Sequence, residues 1–69
     1  MKKIKIKVNG KVKAVLNNSK LSDLLKNLNI PLKKVAIELN HEIIDKKRTG
    51  NIKLKKDDKI EIVHFIGGG

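Results

Sequence analysis

The chain contains no cysteine, tryptophan or tyrosine, and Phe65 is its only aromatic residue. Without cysteine, it can form no disulfide, zinc–thiolate site, redox pair or cysteine nucleophile. Any sulfur chemistry must therefore use sulfur brought by another molecule. A single aromatic side chain also argues against the stacking platforms that bind single-stranded nucleic acid.

Long apolar runs are missing as well. Lysine occupies every second position near the N-terminus, so neither a signal-peptide core nor a membrane-spanning stretch follows Met1. A length of 69 residues leaves room for one domain. We expect a cytoplasmic protein with a folded domain over residues 1–66 and a flexible triglycine tail over residues 67–69.

Positive charge is abundant: 17 Lys and Arg face 7 Asp and Glu, for a net charge of +10. Such an excess suits nucleic acid, an anionic membrane or an acidic protein surface. Arg48 is the only arginine, although arginine is favoured for reading bases and for bidentate phosphate contacts. The composition argues against sequence-specific nucleic-acid recognition. It leaves open diffuse electrostatic binding, docking to acidic proteins, and a coat of lysines that only aids solubility.

The first half of the chain predicts a hairpin and a helix. Strict alternation over Lys3–Lys7 is typical of a half-buried strand, and Asn9-Gly10 is a hairpin signal. A two-residue loop would place Ile6 opposite Lys13, so we expect a bulged three-residue connection through Lys11. That register pairs Val8 with Val12, Ile6 with Ala14, and Ile4 with Leu16.

A leucine stripe follows the hairpin, at the spacing of one helix face. Its members are Leu21, Leu24, Leu25 and Leu28. Ser19 or Ser22 is the expected N-cap, Asp23 suits the first turn, and Pro31 closes the segment.

The second half predicts three more strands. Residues 35–39 alternate, Asn40-His41 is their turn, and Ile43-Ile44 form at most a short strand. A polar loop anchored by Ile52 and Leu54 and a tight turn at residues 55–58 lead to a final strand over residues 60–66. The element order predicts an α+β fold, a β-grasp with a mixed sheet of four to five strands on one helix, in which the last strand lies beside the first and parallel to it.

The last strand aims two apolar side chains away from the predicted core. If Ile60 and Ile62 are buried, Glu61 points to solvent, and Val63 and Phe65 share its open face. We interpret Val63 and Phe65, together with Glu61 and Ile66, as a partner-binding surface. The alternative is that Phe65 folds over the sheet edge as part of the core.

Three glycines close the sequence directly after this strand. Glycine loses more entropy on ordering than any other residue, so Gly67 and Gly68 contribute reach rather than stability. Such a tail can thread a narrow channel in another protein. The carboxylate of Gly69 is therefore the candidate reactive group.

The ending, Glu61-Ile62-Val63-His64-Phe65-Ile66-Gly67-Gly68-Gly69, with Asp58-Lys59-Ile60 before it, resembles the ThiS family of ubiquitin-like sulfur carriers. The resemblance covers nearly the whole chain in length and element order, but only this tail is specific. The sibling MoaD family of molybdopterin synthesis shares the fold and the Gly-Gly ending and remains the alternative of the same class.

The resemblance implies that a ThiF-like partner uses Mg-ATP to adenylate Gly69. A sulfurtransferase or a partner persulfide then displaces AMP, and the resulting thiocarboxylate gives its sulfur to a ThiG-like thiazole synthase. The carrier itself would bind no cofactor and have no catalytic residue. Its charge departs from the family, whose members are often neutral or acidic.

Other polar residues carry weaker signals. His41 and His64 lack a nucleophile or second metal ligand at a useful spacing, so we interpret both as structural and expect no metal site. The carboxylate pairs Asp57-Asp58 and Glu38-Glu42 fit solvated turns better than an acid–base site. Two further alternatives stay open: a basic β-grasp module that binds nucleic acid, and a modifier that forms isopeptide bonds.

Overall fold

Five strands and one α-helix form the regular structure of residues 2–65, the part of the chain that the computed structural model describes. The predictions for Ile66, Gly67, Gly68 and Gly69 lie outside the described residues. The elements are β1 (Lys3–Val8), β2 (Lys11–Leu16), α1 (Leu21–Asn27), β3 (Val35–Leu39), β4 (Glu42–Ile43) and β5 (Lys59–His64). Short 3₁₀ segments, Leu32–Lys34 and Lys46–Asn51, precede β3 and follow β4.

The strands form one mixed sheet in the order β2-β1-β5-β3-β4. Strand β5 lies at its centre, parallel to β1 and antiparallel to β3. This is the β-grasp arrangement, and it confirms the predicted fold class. The last strand of the described chain is thereby held on both sides.

The core lies between α1 and one face of the sheet. The leucine stripe of α1 is buried there as predicted, except that Leu28 is only half-buried. The buried apolar residues are Ile6, Leu21, Leu24, Leu25, Val35, Ile37, Leu54, Ile60 and Ile62. Burying a side chain of this size contributes about 1.5–3 kcal/mol, so this cluster supplies most of the driving force for folding.

The predicted hairpin register is wrong. Strands β1 and β2 are joined by the two residues Asn9 and Gly10, and Ile6 lies opposite Lys13. Both turn residues have positive φ, 50° and 82°, which is the turn geometry whose twist matches that of paired strands. Turn chemistry outweighs the apolar pattern here because Lys13, which is half-buried, can cover apolar surface with its stem while its ammonium group reaches water.

The predicted cap of α1 is also wrong. The N-cap is Lys20, whose backbone N–H donates to the Asp23 carboxylate at 3.0 Å. The Ser19 hydroxyl instead donates to the Leu16 carbonyl at 2.6 Å. At the other end, Asn29 takes a positive φ of 57° and Ile30 N–H bonds the Leu25 carbonyl, so the helix ends in a Schellman motif before Pro31 is reached.

The loops follow the predictions more closely. Asn40 and His41 form the turn between β3 and β4, and Leu54 anchors the long connection in the core. That connection is tied to the start of α1 by hydrogen bonds from Leu21 N–H to the Ile52 carbonyl and from Leu54 N–H to the Ser19 carbonyl. The final strand is shorter than predicted, because β5 ends at His64.

Candidate functional site

The end of β5 presents apolar side chains to solvent. Ile60 and Ile62 are buried, whereas Val63 and Phe65 are each 54% exposed, and Glu61 and His64 are exposed too. The predicted division of the strand between core and open face is confirmed. The alternative that Phe65 belongs to the core is wrong, since more than half of its surface faces water.

Neighbouring strands extend this surface. Val63 lies opposite Ala36 of β3, and Phe65 follows at the next position on the same side. We call Ala36, Val63 and Phe65 the β5 patch. Although Phe65 lies beyond the strand, its backbone N–H donates to the Lys34 carbonyl at 2.8 Å, and Lys46 Nζ lies 5.1 Å from its ring centroid. The ring is therefore exposed but attached to a fixed backbone.

Asn9 holds β5 one residue before the patch. Its side-chain Oδ1 accepts from Ile62 N–H at 2.7 Å, and its Nδ2 donates to the Ile62 carbonyl at 3.3 Å. Its own backbone N–H donates to the Ile60 carbonyl at 2.9 Å. The pairing of β1 with β5 stops at Val8 and Ile60, so the amide of Asn9 continues the ladder where the backbone of β1 turns away.

Asn40 holds the other end of β5 in the same manner. Its Oδ1 accepts from Lys59 N–H at 2.9 Å, and its backbone N–H donates to the Lys59 carbonyl at 2.8 Å. Its Nδ2 donates at 3.0 Å to the buried carboxylate of Asp58, which also accepts from Lys55 N–H at 2.8 Å. Asp58 is thus structural. The predicted turn at Asp57-Asp58 is present, but the prediction of a solvated pair is wrong for Asp58, which is buried, and holds for the exposed Asp57.

Two glutamates face each other beside the β5 patch. Glu61 of β5 and Glu38 of β3 are directly paired across the antiparallel ladder. Like charges at such positions are destabilising. On the open face, the acidic side chains therefore lie on β5 and β3. Lysines dominate the same face of β1, which lies on the other side of β5.

No cluster of three or more His, Cys, Asp or Glu side chains that could hold a metal occurs among residues 2–65. His41 lies in the turn after β3 and His64 at the end of β5, and both are exposed. In the same part of the chain, no helix is both long and apolar enough to cross a membrane. The described site offers an exposed apolar surface on a strand whose backbone is fixed by hydrogen bonds.

Sequence reasoning missed the two asparagine contacts. Asn9 and Asn40 were identified only as turn residues, yet each uses its amide to hold β5. One signal in the sequence could have found them: asparagine is the first residue of both two-residue turns. In the structure the two asparagines have nearly the same φ, 50° and 51°. A turn residue of this kind with a free amide can bond the strand beside it.

Comparison with known proteins adds family evidence. A model described as the ThiS family matches residues 6–69. The sulfur carrier protein ThiS of Bacillus subtilis is 43% identical over 65 residues, covering 93% of this chain and 98% of that protein. A thiazole synthase of Magnetococcus marinus is 39% identical over 66 residues, which are 96% of this chain but 20% of the synthase, so the chain spans a fifth of that relative.

A solved structure agrees with the sequence relatives. The crystal structure of the thiamine biosynthesis protein ThiS from Geobacter metallireducens superposes with a TM-score of 0.83 at 29% identity. The match covers 96% of this chain and 100% of that one. The fold therefore matches an architecture already found in a protein of similar length.

Proposed function

The chain belongs to the ThiS family, and from this we infer that it is a sulfur carrier of thiamine biosynthesis whose reactive group is the Gly69 carboxylate. The observation that carries the inference is the family match, which extends through the glycines to residue 69. The near-complete coverage of the Bacillus carrier supports it. The protein acts as a cosubstrate, and its partners supply the catalytic groups.

The chemistry begins at an unreactive carboxylate. A Gly69 oxygen attacks the α-phosphorus of ATP on a ThiF-like partner that also binds Mg²⁺, pyrophosphate leaves, and an acyl adenylate forms. A persulfide held by a sulfurtransferase or another partner attacks the carbonyl carbon, and AMP leaves. A second thiol then attacks the donor-side sulfur of the acyl disulfide, a new disulfide forms between the two partner sulfurs, and the thiocarboxylate leaves on Gly69. Because ATP drives the first step, we place the reaction in the cytoplasm.

The β5 patch is the docking surface for these partners. Val63 and Phe65 expose apolar area shortly before the glycines in sequence, and Glu61 lies on the same open face. Ile66, the next residue after Phe65 in the sequence, is proposed to take part in the same contact. Exposed apolar groups next to a reaching tail suit an interface that buries them only in a complex. Since Asn9 and the Lys34 carbonyl fix the strand, little ordering entropy is lost when a partner binds. Gly67 and Gly68 then span the distance to the partner's active site.

The thiazole synthase is the partner that receives the sulfur. In Magnetococcus marinus, the matching segment forms a fifth of a chain named thiazole synthase. The match of this chain to part of a synthase supports a contact between carrier and synthase in which the Gly69 thiocarboxylate is the sulfur nucleophile.

Intact-mass measurement tests the function. The chain is incubated with the adenylating enzyme of its own organism, Mg-ATP and a persulfide donor, with a reaction lacking ATP as the control. Replacement of one oxygen by sulfur adds about 16 Da, which we expect only with ATP, and alkylation of the product should locate the sulfur on Gly69. An unchanged mass contradicts the proposal, and higher-mass conjugates would indicate a protein modifier instead.

A further inference from the structure

The open face of β1 carries a row of lysines. Lys3, Lys5 and Lys7 are all exposed, while the alternate residues point toward the core. Successive members lie about 7 Å apart, because side chains two residues apart on a strand share one face. Lys59 of β5 is paired with Lys7, so a fourth ammonium group stands beside the end of the row. We call Lys3, Lys5, Lys7 and Lys59 the lysine row.

Exposed apolar side chains border the row on β2. The observed register places Val12 opposite Lys7 and Leu16 opposite Lys3, and these two side chains are 63% and 43% exposed. A three-residue turn would have turned them toward the core. Exposed apolar side chains rimmed by polar ones are typical of an interaction surface, whereas lysines that served only solubility would not require them.

A hollow lies where the row meets β5. Its volume is about 270 Å³, and it is lined by Lys5, Ile6, Lys7, Val12, Asp57 and Lys59. Three of its six lining residues are lysines, and Asp57 is the single acidic one. The hollow can therefore accept a negatively charged side chain whose stem contacts Val12.

We propose that the lysine row docks an acidic surface of the adenylating partner, with Val12 and Leu16 as its apolar contacts. This inference rests on the proposed carrier function and adds the chemistry of the partner's surface. The row lies on the same open face as Val63, so one partner can cover both it and the β5 patch. Opposite charges on the two proteins accelerate encounter and align the tail with the active site.

An acidic protein fits this surface better than nucleic acid. The row contains lysine only, whereas planar arginine is the side chain favoured for phosphate forks and base edges. Bases would also require aromatic stacking partners, and the row is bordered by aliphatic Val12 and Leu16. Glu61 and Glu38 lie farther along the same face and would repel a polyanion that continued beyond the row.

Charge reversal tests the inference. The variant Lys3→Glu/Lys5→Glu/Lys7→Glu is compared with Lys20→Glu/Lys26→Glu/Lys53→Glu, which changes three exposed lysines near α1 and alters the net charge equally. Pyrophosphate release by the adenylating enzyme gives kcat/KM at about 50 mM and about 300 mM NaCl, where screening differs strongly. Thermal unfolding checks that both variants fold. If either does not, both are replaced by their Lys→Gln versions, so that the change in net charge stays equal.

We expect the row variant to lose about tenfold in kcat/KM at low salt, with a smaller loss at high salt, and the control to stay near wild type. Equal losses in both variants, no loss in the row variant, or a loss that salt leaves unchanged would overturn the inference. Binding of a single-stranded RNA 20-mer or anionic vesicles that requires the row, with adenylation unaffected, would overturn it too. If the wild-type chain gains no mass in the sulfur assay, the carrier function itself fails, which is a separate result.

Discussion

Strand β5 is held by an asparagine at each end, but the two ends expose different chemistry. At the first end, Asn40 joins the buried carboxylate of Asp58, and the network closes on itself. At the second end, Asn9 bonds the backbone of Ile62, and exposed Val63 and Phe65 follow. An asparagine amide therefore stabilises the sheet at one end of β5 and fixes the backbone beside the proposed docking surface at the other.

The difference separates stability from function along a single strand. Changes at the first end should lower the free energy of unfolding without altering transfer by folded molecules. Changes at the second end should reduce transfer even where the fold survives. Four experiments test this division, beginning with the complete loss of function expected at Gly69.

Removal of Gly69 should abolish thiocarboxylate formation while leaving the melting temperature unchanged, because the deleted residue follows the described fold. The measurement is intact mass after the sulfur-loading reaction. Gly69→Ala is the control, since it keeps a carboxylate at the same position. Sulfur transfer by the deletion variant would end the assignment of the reactive group.

Asp58→Ala should destabilise the protein by about 3 kcal/mol, because it leaves Asn40 Nδ2 and Lys55 N–H without their buried acceptor. Urea denaturation measures the change. Asp57→Asn, at the exposed neighbour, should alter stability by less than about 0.5 kcal/mol. Equal effects of the two substitutions would remove the structural role of Asp58.

Asn9→Gly and Asn40→Gly compare the two ends directly. Glycine keeps the positive φ of each turn, so only the side-chain bonds are lost. Each variant should lose about 1–2 kcal/mol of stability. At a temperature where both are folded, Asn9→Gly should lower kcat/KM for adenylation several-fold and Asn40→Gly should not. Equal kinetics would show that the Asn9 contact serves stability alone.

Phe65→Asp should change stability by less than about 0.5 kcal/mol, because the ring is mostly exposed. It should reduce kcat/KM for adenylation about tenfold, the effect of losing about 1.4 kcal/mol of contact. Phe65→Leu, which keeps an apolar group, should lose less. Unchanged kinetics in the aspartate variant would rule out the β5 patch as a docking surface.

The sequence predicts the fold well because its strongest signals are regular. Alternation in β1 and β5 and the leucine spacing in α1 each report which side faces the core. The β1–β2 register failed because two signals conflicted, and the Asn9-Gly10 turn outweighed the pattern of Val12, Ala14 and Leu16. An alternating apolar pattern indicates which side chains are buried, but it contains no information about the strand twist that a two-residue turn requires.

The site was only partly predictable for a related reason. The exposure of Val63 and Phe65 follows from alternation, so it could be expected. The contacts of Asn9 to Ile62 and of Asn40 to Lys59 join residues far apart in sequence, and nothing local reveals them. The lysine row became informative only when the register showed what borders it.

The central position of β5 has a consequence for synthesis on the ribosome. Strands β1 and β3 do not pair with each other, because β5 lies between them. The β2-β1 half and the β3-β4 half of the sheet can therefore join only after Lys59 and the rest of β5 have been synthesised. Contacts this distant in sequence form late. The nascent chain therefore completes its sheet only after β5 has emerged, just ahead of the glycines. In the order of synthesis, the proposed reaction at Gly69 would thus follow completion of the sheet.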